Sequence, residues 1–234
     1  MTGAATGVAT TRQPGSVPGS EGDGSPPIWS RCVWAERRKP ARSPGLSREE
    51  SGKNMNRLIA VEDKEDIYPE YRDVPIGLLL EYHNLNRPPD RYSTAQLLVG
   101  MCMDNRKRLQ IPDNFAYIIR SGGANLRYSE FQVSYAIAVG GVRSIALIGH
   151  NQCGMVNLVA RREQFIQGLV DDGGWEQEWA EEHFTHFAPM FEIGNAVDFV
   201  LSEAQRLRLR YPRVQVAPLM YIVEDNRLYM IREA

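Results

Sequence analysis

Two short stretches of sequence decide the fold. Residues 100–106 are Gly-Met-Cys-Met-Asp-Asn-Arg, and residues 149–154 are Gly-His-Asn-Gln-Cys-Gly. A short continuous apolar run over residues 96–101 leads into the first stretch. A second run, over residues 144–148, directly precedes the second stretch. Such runs are typical of strands that are buried on both faces, as in parallel sheets covered by helices. The two stretches therefore predict strand ends that carry polar and sulfur-containing side chains.

Helical and strand patterns alternate through the rest of the chain. Helices are predicted over residues 74–85, 129–139, 155–167, 175–187 and 192–210, and further strands over residues 115–119, 214–223 and 228–231. Ser129 and Gln132 match a capping box at the start of the second helix, and Pro189 is expected to interrupt the helical pattern that follows residue 187. Residues 168–174 are expected to form a loop. The alternation predicts an α/β fold with a mostly parallel β-sheet flanked by helices, in which ligands bind at the carboxyl ends of the strands.

The side chains of the two stretches are suited to a metal site. Cys102, His150 and Cys153 are ligand types that zinc prefers, and three protein ligands leave a fourth tetrahedral position for water. Asp104 and Arg106 are two residues apart on an extended segment, so both can point to one side, and Arg106 can hold Asp104 ionised through a bidentate pair. Taken singly, the cysteines could be ordinary buried thiols and the Asp–Arg pair a structural ion pair.

Cys153 and Gly154 are expected to open the helix over residues 155–167. The helix dipole would then favour the thiolate of Cys153.

Cys-x-Asp-x-Arg followed by His-x-x-Cys-Gly, each after a strand, resembles the β-class carbonic anhydrases. The resemblance is good over about residues 97–158 and loose elsewhere. It implies a zinc enzyme whose zinc-bound hydroxide hydrates carbon dioxide reversibly to bicarbonate and a proton, with the two cysteines and the histidine as ligands and with Asp104 and Arg106 as catalytic residues. It also implies a homodimer or a multiple of dimers. In some members the aspartate occupies the fourth zinc position, so Asp104 would be a ligand if the site is closed.

Three positions depart from the family pattern. Asn105 replaces a small residue, Asn151 replaces Ser or Thr, and residues 120–123 are Arg-Ser-Gly-Gly where Arg-Asn-Ala-Gly is usual. These departures leave a rival substrate open, because relatives with the same ligands hydrolyse carbonyl sulfide or carbon disulfide. A second rival is a non-catalytic zinc protein, although structural zinc usually has four protein ligands.

Composition limits the remaining classes. The chain has 234 residues, 43% of them hydrophobic, and a formal net charge of −2, which predicts one sizeable core and no electrostatic attraction to nucleic acid. No apolar run is long enough to span a membrane, and no apolar segment of a secretory signal is present near the start. Three cysteines, an odd number, favour a reducing compartment and hence the cytoplasm.

Residues 1–54 differ from the rest of the chain. They are rich in Gly, Pro, Ser and Arg and lack helical or strand periodicity. We expect a disordered tail or a mis-assigned extension upstream of a true start at Met55, with a transit peptide as the weaker option. Residues 55–234 are expected to form the zinc-binding catalytic domain.

Other groupings have less specific interpretations. His183 and His186 suit a surface helix or a subunit contact better than a second metal site or a proton shuttle. The neighbouring aromatic residues favour core or dimer contacts over a lid; they are Trp175, Trp179, Phe184, Phe187 and Phe191. Three arginines are expected on a solvated helix face: Arg206, Arg208 and Arg210. Apolar residues recur on one face of the second helix: Phe131, Tyr135 and Val139.

Overall fold

A computed structural model describes residues 56–233, and the expectations for residues 1–54 lie outside them. The strands are β1 (Leu58–Ile59), β2 (Leu97–Cys102), β3 (Ala116–Ser121), β4 (Ser144–His150), β5 (Gln215–Ile222) and β6 (Arg227–Ile231). The helices are α1 (Pro75–Asn84), α2 (Glu130–Ala138), α3 (Arg162–Asp171), α4 (Gln177–Phe191) and α5 (Ala196–Arg210). None of the helices within this range has the length and apolar composition needed to cross a bilayer.

The strands form one sheet in the order β1-β6-β5-β4-β2-β3. The sheet has four neighbouring strands that run parallel to one another: β3, β2, β4 and β5. Strand β6 pairs antiparallel with β5, and β1 pairs antiparallel with β6. The predicted α/β fold with a mostly parallel sheet is therefore confirmed. Because β3 lies on one side of β2 and β4 on the other, the chain reverses direction across the sheet at β2, which is where ligands bind in open α/β sheets.

Helices cover both faces of the sheet, as the continuous apolar strands predict. Residues Leu97, Val99 and Met101 of β2 face α1, whereas Leu98 faces α2 and α5. This alternation is the period of two of a strand. It turns Cys102 to the α5 face of the sheet, where it packs with Cys153 and Ile193.

The helix predicted over residues 155–167 is wrong in its position. Val156 instead forms a parallel bridge with Ile193, and Asn157 adopts a left-handed backbone with φ of 56°. Helix α3 begins only at Arg162 and continues to Asp171, into the segment expected to be a loop. Cys153 therefore does not lie at a helix N-terminus, and the expected dipole effect on its thiolate is absent.

Two local predictions about helix ends are also wrong. Ser129 precedes α2, but its side chain makes no capping hydrogen bond, so the expected capping box with Gln132 is not formed. Pro189 lies inside α4, which continues to Phe191. Because Pro189 is in the last turn, its missing N–H removes only one intrahelical bond close to the helix end.

The apolar stripe of α2 faces outward. Phe131 is 78% exposed, Tyr135 51% and Val139 67%, whereas Val133 and Ala136 of the same helix are buried. The three arginines of α5 are ion-paired rather than simply solvated, with Arg206 and Arg210 on Glu130, Arg206 also on Glu203, and Arg208 on Glu233.

We predict that Asn195→Ala destabilises the fold by about 1 kcal/mol, the usual cost of losing an N-cap. The Asn195 side-chain oxygen accepts hydrogen bonds from the Val197 and Asp198 N–H groups at 2.9 and 3.1 Å, and so caps α5. Asn195→Asp keeps that acceptor and should retain nearly full stability. Urea unfolding of both variants measures the difference, and equal losses in the two would exclude capping as the cause.

Candidate metal centre

The two predicted motifs meet at the carboxyl ends of adjacent strands. Cys102 is the last residue of β2 and His150 the last of β4, and these strands pair in parallel. The chain turns back after β4 through a left-handed residue, Gln152 (φ 54°), which brings Cys153 beside them. One ligand atom from each of Cys102, His150 and Cys153 lies within 4.8 Å of the other two, and all three residues are buried.

The spacing of the two sulfurs fits a tetrahedral metal. The Sγ atoms of Cys102 and Cys153 lie 3.9 Å apart, and both cysteines are free. With zinc–sulfur bonds of about 2.3 Å, two thiolates at tetrahedral positions would be about 3.8 Å apart. Disulfide sulfurs would be about 2 Å apart. The pair is therefore arranged as two ligands of one ion rather than as a cross-link.

His150 presents the lone pair that a metal requires. Its Nδ1 lies 2.7 Å from the carbonyl oxygen of Asn151. A carbonyl only accepts, so Nδ1 carries a proton, and Nε2 is the nitrogen left to face a metal. Nε2 is buried and has no hydrogen-bond partner among residues 56–233. Such an orphaned nitrogen is what a metal-ligating histidine oriented by a carbonyl presents.

The surroundings favour a thiolate at Cys102. The hydrogen bond with the Cys153 thiol lowers the pKa of Cys102, and backbone N–H groups of Asp104 and Gly123 act in the same direction. The same shared proton, together with burial, raises the pKa of Cys153. A metal ion binding here would take the place of that proton. The residues present therefore fit a thiolate-rich metal site.

Asp104 and Arg106 form the predicted bidentate pair. Arg106 Nε lies 3.0 Å from Asp104 Oδ1, and its Nη2 lies 2.7 Å from Oδ2. These hydrogen bonds are the main reason that the pKa of Asp104 is well below its usual value. Within the part of the chain that the structure describes, the compact ligand group comprises only the two cysteines and His150. The Asp104 carboxylate thus lies on Arg106 and not in that group.

Arg106 also joins the two motif loops, which the sequence did not predict. Its Nη1 donates to Oε1 of Gln152 at 3.1 Å, and its Nη2 donates to the Gln152 carbonyl at 3.1 Å. The side chains of Gln152 and Asn151 both donate to Glu224, which lies in the turn between β5 and β6. Glu224 is more than seventy residues from the motif, so no local pattern could have identified it.

A second arginine holds the loop after β2. Arg120 donates to the carbonyl oxygens of Cys102, Asp104 and Lys107 at 3.3, 3.4 and 3.2 Å. The loop from β2 therefore has a fixed path, with the backbone of Asp104 held beside the sulfur of Cys102. The sequence pattern gave no role to Lys107, whose side chain is completely buried in this loop.

Gly122 and Gly123, which directly follow β3, pack beside the ligand group. A Cβ at Gly122 would lie 3.0 Å from the Met155 sulfur and 3.2 Å from the Phe191 ring. Gly123 has φ of 63°, a conformation that glycine adopts without strain. Its N–H points to Cys102. The departure from the family pattern therefore admits apolar side chains next to the ligand group.

His183 and His186 lie away from this centre, on α4. His183 packs against Phe165, Trp175 and Phe187. The two histidines, Trp175 and Phe187 line a surface groove of about 880 Å³. Among residues 56–233 no metal-ligand group includes these histidines. The packing agrees with the predicted surface helix, and Phe184 is buried against α3.

Comparison with known proteins supports the fold. No protein-family model and no curated protein matches this sequence. Among solved structures, the β-carbonic anhydrase isoform I of Trichomonas vaginalis is 16% identical, with a TM-score of 0.50 over 64% of this chain and 91% of that one. A carbonic anhydrase of Glaciozyma antarctica is 21% identical (TM-score 0.47; 72% and 98% covered), and an apo carbon disulfide hydrolase is 19% identical (TM-score 0.44; 60% and 80% covered). The predicted resemblance to the β-carbonic anhydrases is confirmed at the level of the fold.

We predict that the full chain binds one zinc ion and that Cys153→Ala abolishes this binding, because two protein ligands cannot hold zinc tightly. Cys32→Ala is the matched control and should leave one zinc per chain. Equilibrium dialysis with elemental analysis measures both. Full zinc content in the Cys153 variant would contradict the assigned ligand set.

Proposed function

We propose that the protein catalyses the zinc-dependent, reversible hydration of carbon dioxide to bicarbonate and a proton. The observation that supports this most directly is a buried group of three ligands, Cys102, His150 and Cys153, beside an ionised Asp104 held by Arg106. Three ligands leave one position for a reactant, as in catalytic zinc sites. Zinc, when bound, supplies the Lewis acidity that makes water nucleophilic near neutral pH.

Asp104 is suited to accept a hydrogen bond from the attacking water and so to orient it. Its carboxylate is only 17% exposed and is kept ionised by Arg106, so an oxygen lone pair is available at neutral pH. Arg106 holds both carboxylate oxygens and also binds the loop that holds Cys153 through Gln152. In this proposal Asp104 orients the nucleophilic oxygen, and Arg106 fixes the carboxylate relative to the ligand group.

A second candidate is hydrolysis of carbonyl sulfide or carbon disulfide on the same site. Its specific support is the apolar packing of Met155, Phe191 and Ile193 against Gly122 and Gly123. An apolar lining suits a linear substrate without hydrogen-bonding groups. Carbon dioxide shares that property, so the lining alone does not favour sulfur, and we rank carbon dioxide first.

A non-catalytic zinc site is the third possibility. It would require a fourth permanent protein ligand, and Asp104 is the nearest acidic residue in sequence. In the described residues its carboxylate is bound to Arg106 by three side-chain hydrogen bonds of 3.0, 3.2 and 2.7 Å. This arrangement favours a site with an open position.

Thiol ligands also bear on the compartment. Cys102 and Cys153 can serve as ligands only while they remain reduced. We therefore propose a reducing compartment, the cytoplasm, as the place of action.

We predict that zinc-loaded full-length protein hydrates carbon dioxide and that Asp104→Asn lowers kcat/KM by about 100-fold, because the nucleophilic oxygen loses the carboxylate that orients it. Zinc content should be unchanged. Asp113→Asn removes the same charge from an exposed position and should retain full activity. Stopped-flow hydration at pH 7 and pH 8.5 measures these rates.

Release of sulfide from carbonyl sulfide or carbon disulfide, without carbon dioxide turnover, would replace the first candidate by the second. Full activity of Asp104→Asn would instead refute the role of Asp104. No turnover of any of the three substrates, with zinc bound, would support the non-catalytic site.

We further propose that two copies of the chain associate through the exposed face of α2 and the adjoining edge strand β3. Phe131, Tyr135 and Val139 lie on successive turns of one helical face. Tyr117 of β3 continues this face, because its ring lies against Gly140 just beyond α2. Apolar surface of this extent on a soluble protein usually marks an interface.

The size and chemistry of this surface suit a twofold contact. Its exposed apolar residues are Tyr117, Tyr128, Phe131, Tyr135 and Val139. Together they present on the order of 500 Å², if a fully exposed aromatic side chain offers about 200 Å². A stable interface needs about 800 Å² per partner. An uncharged patch can face its own copy without repulsion, and pairing two β3 edges would cover an otherwise open strand.

We predict that Phe131→Glu converts a dimer to a monomer, because it places two like charges at the centre of the twofold contact. Trp179→Glu introduces the same charge on α4, where the side chain is 64% exposed, and should leave the dimer intact. Sedimentation velocity distinguishes the species. If Trp179→Glu gave the monomer and Phe131→Glu left the dimer intact, the contact would instead be assigned to the aromatic face of α4.

A further inference from the structure

Lys107 is a buried cation without a hydrogen-bond acceptor. Its side chain is 0% exposed, and its Nζ has no hydrogen-bond partner within residues 56–233. Burying an ammonium group is costly unless nearby charge compensates for it. The nearest acidic group is the Asp104 carboxylate, whose Oδ1 lies 3.8 Å from Nζ. Burial lowers the pKa of Lys107, and the charges of Cys102, Asp104 and Cys153 oppose that shift.

Asp104 therefore lies between two cations of different kinds. Arg106 binds it through hydrogen bonds, but the Arg106 side chain is 41% exposed, so solvent and salt screen its charge. Lys107 makes no hydrogen bond to the carboxylate, but its charge is wholly buried and is screened much less. The two cations act on the same carboxylate, one from the exposed side and one from the protein interior.

The backbone around Asp104 has little freedom. Its N–H points to the Cys102 sulfur, and Arg120 donates to the carbonyl oxygens of Cys102 and of Asp104 itself at 3.3 and 3.4 Å. With the backbone held in this way, rotation of the side chain is the direct way to move the carboxylate. A carboxylate oxygen is an acceptable zinc ligand, and the group of three ligands leaves one position for it. The direction of the Asp104 side chain thus decides whether that position is open to small molecules.

We propose that Lys107 is a positioning residue that keeps the Asp104 carboxylate on Arg106 and away from the fourth metal position. The inference rests on the proposed metal site but not on the identity of the substrate. It assigns a role to a residue five positions beyond Cys102 that touches neither the ligand group nor a reactant.

The test measures anion binding by the cobalt(II)-substituted full chain, through its visible spectrum during titration with thiocyanate at one fixed pH. Without the Lys107 charge, Asp104 competes for the metal position, so Lys107→Met should raise the Kd for thiocyanate about 10-fold or more. Lys107→Gln should have the same effect. Arg108→Met removes a charge from an exposed neighbour in the same loop and should change the Kd less than 2-fold. Cobalt content and urea unfolding confirm that each variant is folded and loaded.

A double-mutant cycle tests the route of the effect. In an Asp104→Asn background, which removes the competing carboxylate, Lys107→Met should change the Kd less than 3-fold. If Lys107→Met raised the Kd for thiocyanate equally in both backgrounds, Lys107 would act on the anion directly, and the proposal would be overturned. So would an unchanged or tighter Kd in the single variants. Because the readout needs no turnover, a failure of carbon dioxide hydration would leave this result unaffected.

Discussion

The parallel hydrogen bonding of β2 to β4 is the constraint on which the candidate site depends. Leu98 pairs with Ile145 and Met101 with Ile148, so the two strands end at the same level of the sheet. Since a strand alternates its side chains, a shift of one residue in β2 would turn Cys102 to the opposite face. The apolar residues of β2 are buried on both faces, and this burial fixes the register. Sheet pairing alone thus places the first two candidate metal ligands side by side, without help from polar contacts.

Polar contacts then fix the loops that the sheet leaves free. Arg106 joins the loop after β2 to Gln152 in the loop after β4, and Gln152 is in turn bound to Glu224 beyond β5. Three strand ends are therefore tied together by three side chains, those of Arg106, Gln152 and Glu224. Charge-assisted hydrogen bonds of this kind orient a site without adding apolar bulk near the reacting centre. The same arginine that holds the Asp104 carboxylate also binds Gln152, the residue before Cys153, so one side chain supports both the carboxylate and the candidate ligand group.

Sequence patterns predicted the parts of the fold that depend on local chemistry. Continuous apolar runs identified β2 and β4, and the residue types at their ends pointed to the three side chains that the structure brings together as a candidate metal group. The segment after Cys153 was assigned wrongly because its conformation depends on a distant contact, the bridge between Val156 and Ile193. Lys107 and Glu224 were missed for the same reason. Their roles come from neighbours in space, and no spacing along the chain records them.

Helix α2 shows that apolar periodicity can identify a helical face without identifying what covers that face. Val133 and Ala136 pack on the sheet, while Phe131, Tyr135 and Val139 form an equally regular stripe that faces outward. In sequence, both sets obey the same helical period. An apolar stripe indicates only that a surface is better kept from water; the partner that covers it can be the same chain or another one. Since the sheet already covers one side of α2, the larger side chains on the other side are the ones that the proposed contact between two copies would cover.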